Sequence, residues 1–287
     1  MPLKKFKKTI LILTVFILSL CLLIFLFYRT SGSSQELEII FFDVGQGDSI
    51  FIQTPTNQQI LIDGGPDTSV VSKIGEQLEF YDHHLDLVVL THPHTDHIMG
   101  LIEVLKRYEV DYVMYNDLEV DYDYYQEWES IIDEKNIQIL DPVGYSQMSF
   151  GEVNFKVIYP FEKIDFEPDD LNDTSIVLRL EYQDFTALFT GDATTEVEEE
   201  IIQHGDDIKI DVLKVGHHGS KYSSSFDWLE TVDPKYAVIQ SGEGNKFNHP
   251  HKLTINKLTG LGIEILRNDE LGDIIMQISN GEILIKK

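Results

Sequence analysis

Cysteine is nearly absent: the 287 residues contain one, Cys21. A single thiol excludes a disulfide framework and a cysteine-rich zinc site. It lies in an apolar N-terminal stretch behind Leu20, which is not the small residue that a lipidated cysteine wants, so it reads as a membrane-facing thiol. Basic residues are also scarce, with 22 Lys and Arg against 49 Asp and Glu and a net charge of −27. Five of those bases (Lys4, Lys5, Lys7, Lys8 and Arg29) fall in the first 35 residues, where there is no acid. Residues 36–287 therefore hold 17 bases and 49 acids, a net −32. Such a surface repels polyanions, although salt screens the repulsion beyond about 8–10 Å. That argues against a non-specific nucleic-acid binder, whose footprint is basic, but leaves room for a local cationic pocket. Internal repeats and low-complexity segments are lacking as well.

What is present begins with Thr9 to Tyr28, 20 residues without a charge, preceded by four lysines. About 20 apolar residues cross a hydrocarbon core of roughly 30 Å. The apolar core of a secretory signal is shorter, about 7–15 residues, so an anchor is expected. The lysine cluster predicts residues 1–8 in the cytoplasm, 9–28 in the cell membrane, a linker at 29–36, and residues 37–287 outside as one domain. Cleavage near Ser31-Gly32-Ser33-Ser34, releasing a secreted domain, is the alternative.

The chain after the linker is organised around Leu90-Thr91-His92-Pro93-His94-Thr95-Asp96-His97. The apolar run Leu87–Leu90 predicts a strand before it and Ile98–Leu105 a helix after it. Two histidines two residues apart on an extended backbone point the same way. Asp96 and His97, at the turn into the helix, can then face a second ion nearby. Imidazole and carboxylate are the donors that hold hard to borderline divalent metals.

Strands are expected at Leu37–Phe42, Ser49–Gln53 and Gln59–Ile62, with Gly- and Asp-rich loops after the first (Asp43–Asp48) and the third (Asp63-Gly64-Gly65). Helices are expected at Ser69–Phe80 and at Asp117–Asn136, the latter packing its tyrosines and Trp128. From Thr194 the pattern becomes strand–helix–strand, and further polar groups fall at strand ends: Asn172-Asp173, Asp192, His217-His218 and His249. Asp192 follows an apolar strand and has two oxygens with which to bridge two cations. His217 and His218, beside Ser220 and Lys221, offer donors without an acidic neighbour in sequence, which suits phosphate oxygens. Mixed strands and helices over about 250 residues indicate two sheets faced by helices.

His92-x-His94-x-Asp96-His97 is the signature of the metallo-β-lactamase superfamily. With Asp43–Ser49, Ile62–Gly65, Asn172–Ser175, Thr190–Asp192, His217–Lys221 and His249-Pro250 in order, residues 37–287 resemble the metallo-β-lactamase-like domain at the C-terminus of late-competence DNA-uptake proteins (the ComEC type) and of stand-alone relatives. The resemblance implies an α/β fold, an αββα sandwich with the site along one edge, and a hydrolase with one or two divalent ions. His92 and His94 would hold the first ion, Asp96 and His97 the second, and Asp192 would lie between them. His249 is the choice for the last ligand of the second ion, with His217 or His218 competing. Asp63, Asp43 and Asp48 would orient these ligands from behind.

Two departures matter. Where the superfamily offers a third histidine for the first ion, this chain has Asn172-Asp173. An oxygen ligand there weakens the preference for zinc and admits manganese. The many membrane spans of full-length competence proteins are also missing, so a DNA channel is not a role this chain fills alone. The expected activity is phosphodiester hydrolysis by metal-activated water, with Asp96, His217 and His218 catalytic and Ser220 and Lys221 binding substrate. The substrate would be nucleic acid or a cell-envelope polymer. Acyl hydrolysis on the same site, or a non-catalytic membrane-tethered binding module, is the alternative. No protein partner is evident.

Overall fold

In the strand Leu37–Phe41 (β1), Leu37, Ile39 and Phe41 face one side and Ile40 the other, and all are fully buried. A strand apolar on both faces must lie inside a layered core, because successive side chains alternate across it. The computed structural model describes residues 2–31, 36–144, 146–164, 170–205 and 207–286. Residues 32–35 of the expected linker and 165–169 of the loop before Asn172 lie outside them.

The strands after β1 are β2 (Ile50–Gln53), β3 (Gln59–Ile62), β4 (His84–Val89), β5 (Glu109–Met114), β6 (Gln138–Leu140), β7 (Gln147–Phe150), β8 (Val153–Tyr159), β9 (Val177–Tyr182), β10 (Phe185–Phe189), β11 (Val212–Lys214), β12 (Tyr236–Ile239), β13 (Glu264–Arg267), β14 (Ile274–Ser279) and β15 (Glu282–Lys286). They form two sheets, ordered β15-β14-β1-β2-β3-β4-β5-β6 and β13-β12-β11-β10-β9-β8-β7. In each sheet one run is parallel: β3 to β6 in the first, β10 to β13 in the second. Inner faces meet in a core that includes Phe41, Ile62, Val89, Phe155, Leu178 and Phe189. The outer face of the first sheet is covered by α2 (Ser69–Gln77), α3 (Thr95–Arg107) and α4 (Asp123–Lys135), and that of the second by α5 (Thr195–His204), α6 (Phe226–Val232) and α7 (Lys252–Gly260). The result is a helix–sheet–sheet–helix sandwich. Parallel strands aim their C-terminal ends the same way, so loops from β3, β4, β10 and β11 gather at one edge.

Helix α3 is pressed against that edge through two glycines. Gly64 donates its N–H to the carbonyl of His97 at 2.8 Å, and Gly100 donates to the carbonyl of Gly65 at 3.0 Å. A Cβ on Gly100 would overlap the carbonyl oxygen of Gly64, which is backbone and cannot swing aside. Alanine would gain about 1 kcal/mol of helix propensity. Overpacking of this kind costs about 1–3 kcal/mol, and the clash is backbone on backbone, so it wins. Gly100→Ala is expected to lower the denaturant midpoint and to loosen the position of His97; an unchanged midpoint would contradict the close approach.

Several boundaries differ from expectation. Helix α2 stops at Gln77, where Leu78 turns extended. Helix α4 begins at Asp123 and not at Asp117. The hydroxyl of Tyr125 donates to the carbonyl of Asn116 at 2.8 Å and accepts from the N–H of Leu118 at 3.2 Å, which pins the intervening chain out of helix. Tyr125 and Trp128 are buried as expected, with Tyr115 edge-on to Trp128 at 5.8 Å. At the N-terminus, α1 (Pro2–Ser31) contains Lys7–Phe25, a span long and apolar enough to cross a membrane.

Candidate metal centre

Three imidazoles are fixed through one nitrogen and leave the other pointing inward. His97, in the first turn of α3, has its Nδ1 2.8 Å from Asp63 Oδ2. Asp63 also accepts the N–H of Thr91 at 2.8 Å and its hydroxyl at 2.7 Å. With its proton so committed, the Thr91 hydroxyl is left to accept from His92 Nδ1, 3.1 Å away. His218 Nδ1 lies 3.0 Å from the carbonyl of Gln240, with Asp48 Oδ1 at 3.1 Å. An Nδ1 so engaged leaves the Nε2 of each ring facing the site, where its lone pair would be available to a cation.

These Nε2 atoms converge on Asp192, which follows β10. Its Oδ2 lies 4.0 Å from His92 Nε2, 3.4 Å from His97 Nε2 and 3.2 Å from His218 Nε2. Asp96 Oδ2 is 3.3 Å from His218 Nε2. His94 turns its Nδ1 to within 3.0 Å of His92 Nε2. Ligands at about 2.0–2.1 Å from one ion stand roughly 3.0–3.4 Å apart, so these spacings suit shared cations.

Electrostatics make the same case. Burial would drive His97 and His218 neutral, yet carboxylates (Asp192 and Asp63 at His97, Asp192 and Asp48 at His218) hold both well above the ordinary histidine value. Burial opposes ionisation of Asp192 too, but His218 and His97 hold it well below the carboxylate range, and Asp96 is lowered by the same pair. Burial and the neighbouring His97 keep His92 neutral. Burial raises Asp63 against the pull of His97. A buried cluster of carboxylates demands positive charge, and without cations two imidazoles must supply it. Among the described residues, His97 Nε2, His218 Nε2, Asn172 Oδ1 and Asp192 Oδ1 are buried without a hydrogen-bond partner. Orphans of this kind at one spot fit divalent metal.

The strained backbone lies here as well. Asp63, His217, His218 and Asn248 have φ of 58°, 49°, 52° and 58°. Each non-glycine residue in this region costs about 1–3 kcal/mol, and such strain gathers at functional sites. The two consecutive left-handed residues after β11 turn His218 inward and leave His217 beside the opening.

Several expectations need correction. His249 is not placed as the last ligand of the second group. It follows β12, one strand further from β10 than His218, and among the described residues the clusters of close His and Asp donor atoms include His218 and not His249. His218 stands between Asp96 and Asp192 instead, its Nε2 3.3 and 3.2 Å from their carboxylate oxygens. Asp43 does not back a ligand: its carboxylate accepts the N–H of Gly45 at 3.2 Å and its own N–H donates to Asp273. The buried hydroxyl of Ser220 accepts the N–H of Tyr222 at 3.3 Å, which commits it to the turn. Lys221, expected to bind substrate, is exposed on the wall of a neighbouring cavity and not in the metal cavity itself. Of Asn172 and Asp173, the asparagine lines the cavity, while Asp173 accepts the hydroxyl of Thr194 at 2.5 Å. Asp63 and Asp48 do stand behind histidines.

One residue was missed. Lys214, fully buried on β11, pairs with Asp48 Oδ2 and donates to the carbonyls of Val215 at 3.0 Å and Gly191 at 3.3 Å. A lone lysine inside an apolar strand was the available signal. It neutralises the carboxylate beside His218.

The β11 loop is braced from outside the cavity by Glu198 on α5. The buried Glu198 carboxylate accepts the N–H of Ser224 and that of Ser225, the latter at 2.8 Å. Burial, against these donors and Lys257, pushes its carboxyl up to about 7 from 4.5. A raised carboxyl contributes stability that is full below its unfolded value and lost as pH rises through its folded value. Relative to Glu198→Gln, the natural protein is expected to lose roughly 2–3 kcal/mol between about pH 5 and about pH 8, read from urea midpoints. Parallel pH profiles would remove the buried-carboxyl account.

The cavity over these groups, about 250 Å³, is lined by Gln46, His94, Asp96, Asn172, His217 and Phe247 among others. A family model described as the metallo-beta-lactamase superfamily matches residues 42–243. ComE operon protein 3 of Bacillus subtilis is 30% identical over 277 residues, covering 91% of this chain and 35% of that protein. Competence protein ComA of Neisseria gonorrhoeae is 29% identical over 268 residues, covering 90% of this chain and 35% of that protein. The chain thus spans about a third of the length of these curated relatives. Among solved structures, the metallo-beta-lactamase fold protein YhfI of Bacillus subtilis is similar in fold, with a TM-score of 0.58 at 11% identity, covering 85% of this chain and all (100%) of that one.

Proposed function

The chain belongs to the metallo-β-lactamase superfamily, and from that premise we propose that it is a metal-dependent phosphodiesterase anchored to a membrane by α1. The observation that carries the reading is the convergence of three anchored imidazoles and two carboxylates at one cavity floor. His92, His94 and Asn172 would hold one ion and Asp96, His97 and His218 another, with Asp192 between them. Zinc suits the nitrogen donors, and the Asn172 oxygen admits manganese. Divalent ions there would supply a water acidified from 15.7 to about 7 and positive charge for the transition state.

The remaining residues orient and bind. Asp63, Thr91 and Asp48 hold the imidazoles in the tautomer that faces inward. His217 and His249 stay neutral, burial lowering both, the latter to about 4. Among the described residues their Nδ1 atoms, buried beside the cavity, have no hydrogen-bond partner. A neutral imidazole N–H is a suitable donor to a phosphoryl oxygen as charge builds there. The resemblance to DNA-uptake proteins, with a competence protein among the relatives, favours nucleic acid over a cell-envelope polymer as the diester. The four lysines before the apolar span support an orientation with the N-terminus in the cytoplasm and the site outside. Protease shaving of intact cells is expected to release the hydrolase domain, and protection of that domain would reverse the orientation.

The test of the chemistry is a substrate panel on the full-length protein in detergent, loaded with zinc or manganese. Hydrolysis of bis(p-nitrophenyl) phosphate is expected. Turnover of a thioester or a lactam with none of the phosphodiester would replace this reading with acyl hydrolysis.

A further inference from the structure

A second cavity, about 560 Å³, adjoins the metal cavity and shares Phe247 and His249 with it. Its wall carries Lys221, Tyr222, His251 and Lys252, and among the described residues no carboxylate lines it. In a chain whose residues 36–287 hold 49 acids and 17 bases, an acid-free cavity next to the site is a local reversal of sign. The two rings are exposed where apolar groups are ordinarily covered, Tyr222 at 62% and Phe247 at 52%. Each has an ammonium group over it, Lys221 at 4.7 Å from the Tyr222 ring centre and Lys246 at 5.0 Å from that of Phe247. Phe247 also lies nearly parallel to His249, ring centroids 5.8 Å apart at 25°.

Exposed flat rings flanked by ammonium groups match a ligand that alternates planar bases with anions. We propose that this ledge is the substrate subsite for an unpaired nucleotide next to the scissile phosphate, with Phe247 and Tyr222 as stacking surfaces and Lys221 and Lys252 as phosphate contacts. The proposal rests on the phosphodiesterase reading and narrows its substrate to single-stranded nucleic acid. Stacking on aromatic side chains needs a base face that a duplex keeps covered. A polyol phosphate offers anions but nothing to stack, and it would leave both rings without a purpose. The acidic remainder of the surface disfavours the long contact that a duplex makes through its backbone.

Binding can be separated from turnover by measuring fluorescence anisotropy in EDTA with the full-length protein in detergent. The probes are a labelled thymidine oligonucleotide, a duplex of equal length and a poly(glycerol phosphate) oligomer. The single strand is expected to bind about tenfold or more tighter than either competitor. Phe247→Ala and Tyr222→Ala should each weaken it by about tenfold, the loss of one base stack, while Phe247→Trp retains affinity. Lys221→Gln should reduce the salt slope by about 0.7, one phosphate contact on a single strand. Both rings are at the surface, so unchanged thermal midpoints will show that these variants fold. Equal affinity for the duplex or for the polyol phosphate, or indifference to Phe247→Ala, would overturn the ledge. Single-strand binding without hydrolysis of any phosphodiester would sink the catalytic reading and leave the ledge standing. Hydrolysis of bis(p-nitrophenyl) phosphate with no dependence of strand binding on the rings would do the reverse.

Discussion

Asp192→Asn is expected to reduce phosphodiester hydrolysis by more than about 100-fold, since even supporting residues of a metal site cost 10–100-fold. Asp192 is the one carboxylate that approaches all three inward Nε2 atoms, at 4.0, 3.4 and 3.2 Å. An amide keeps the shape and removes the charge that a cation pair needs. The effect should appear in kcat, and the metal requirement should rise. The measurement is initial rate against metal concentration for both proteins. An activity within a few-fold of the natural chain would show that Asp192 does not lie between working ions.

Lys214→Met is expected to act on stability and on the metal centre together. Removing one partner of a buried ion pair leaves the other charge stranded, at a cost of about 3–5 kcal/mol. Here the stranded group is Asp48, 1% exposed, and it stands beside His218. Metal affinity should therefore fall by about 10–100-fold as well. Adding Asp48→Asn to Lys214→Met removes both charges and should recover much of the stability without restoring metal affinity. Urea midpoints and metal titration of the single and double variants separate the two effects. Equal loss in both variants would mean that the pair is not coupled.

The part of the site written in one stretch was legible in the chain. His92, His94, Asp96 and His97 fall at a strand-to-helix junction, and local geometry alone brings such groups together. Asp63 was legible only through the family resemblance, since an Asp-Gly-Gly strand end read alone is ordinary turn chemistry. The last ligand was harder, since His218 and His249 both follow core strands. Parallel order brings His218 nearer to Asp192. β11 is hydrogen-bonded to β10, which ends at Asp192, whereas β12 lies one strand, about 4.8 Å, further away. The strand–helix–strand pattern after Thr194 implied that order, but the left-handed turn at His217 and His218 that aims one ring inward was not foreseeable. Asp43 was misplaced for a related reason. Its partner Asp273 lies 230 residues away, and nothing in the Asp43–Asp48 loop announces it. The sandwich itself followed from apolar strands and amphipathic helices, while helix ends failed where a tertiary contact, such as that of Tyr125 with Asn116, overrode local preference.

The most direct test is the metal content of the full-length protein compared with His218→Ala and His249→Ala. Elemental analysis after dialysis should find about two divalent ions in the natural chain, as two-metal hydrolases hold. His218→Ala should lose about one of them, and His249→Ala should keep both. A natural chain that retains none, or a loss on changing His249 with none on changing His218, would contradict the assignment.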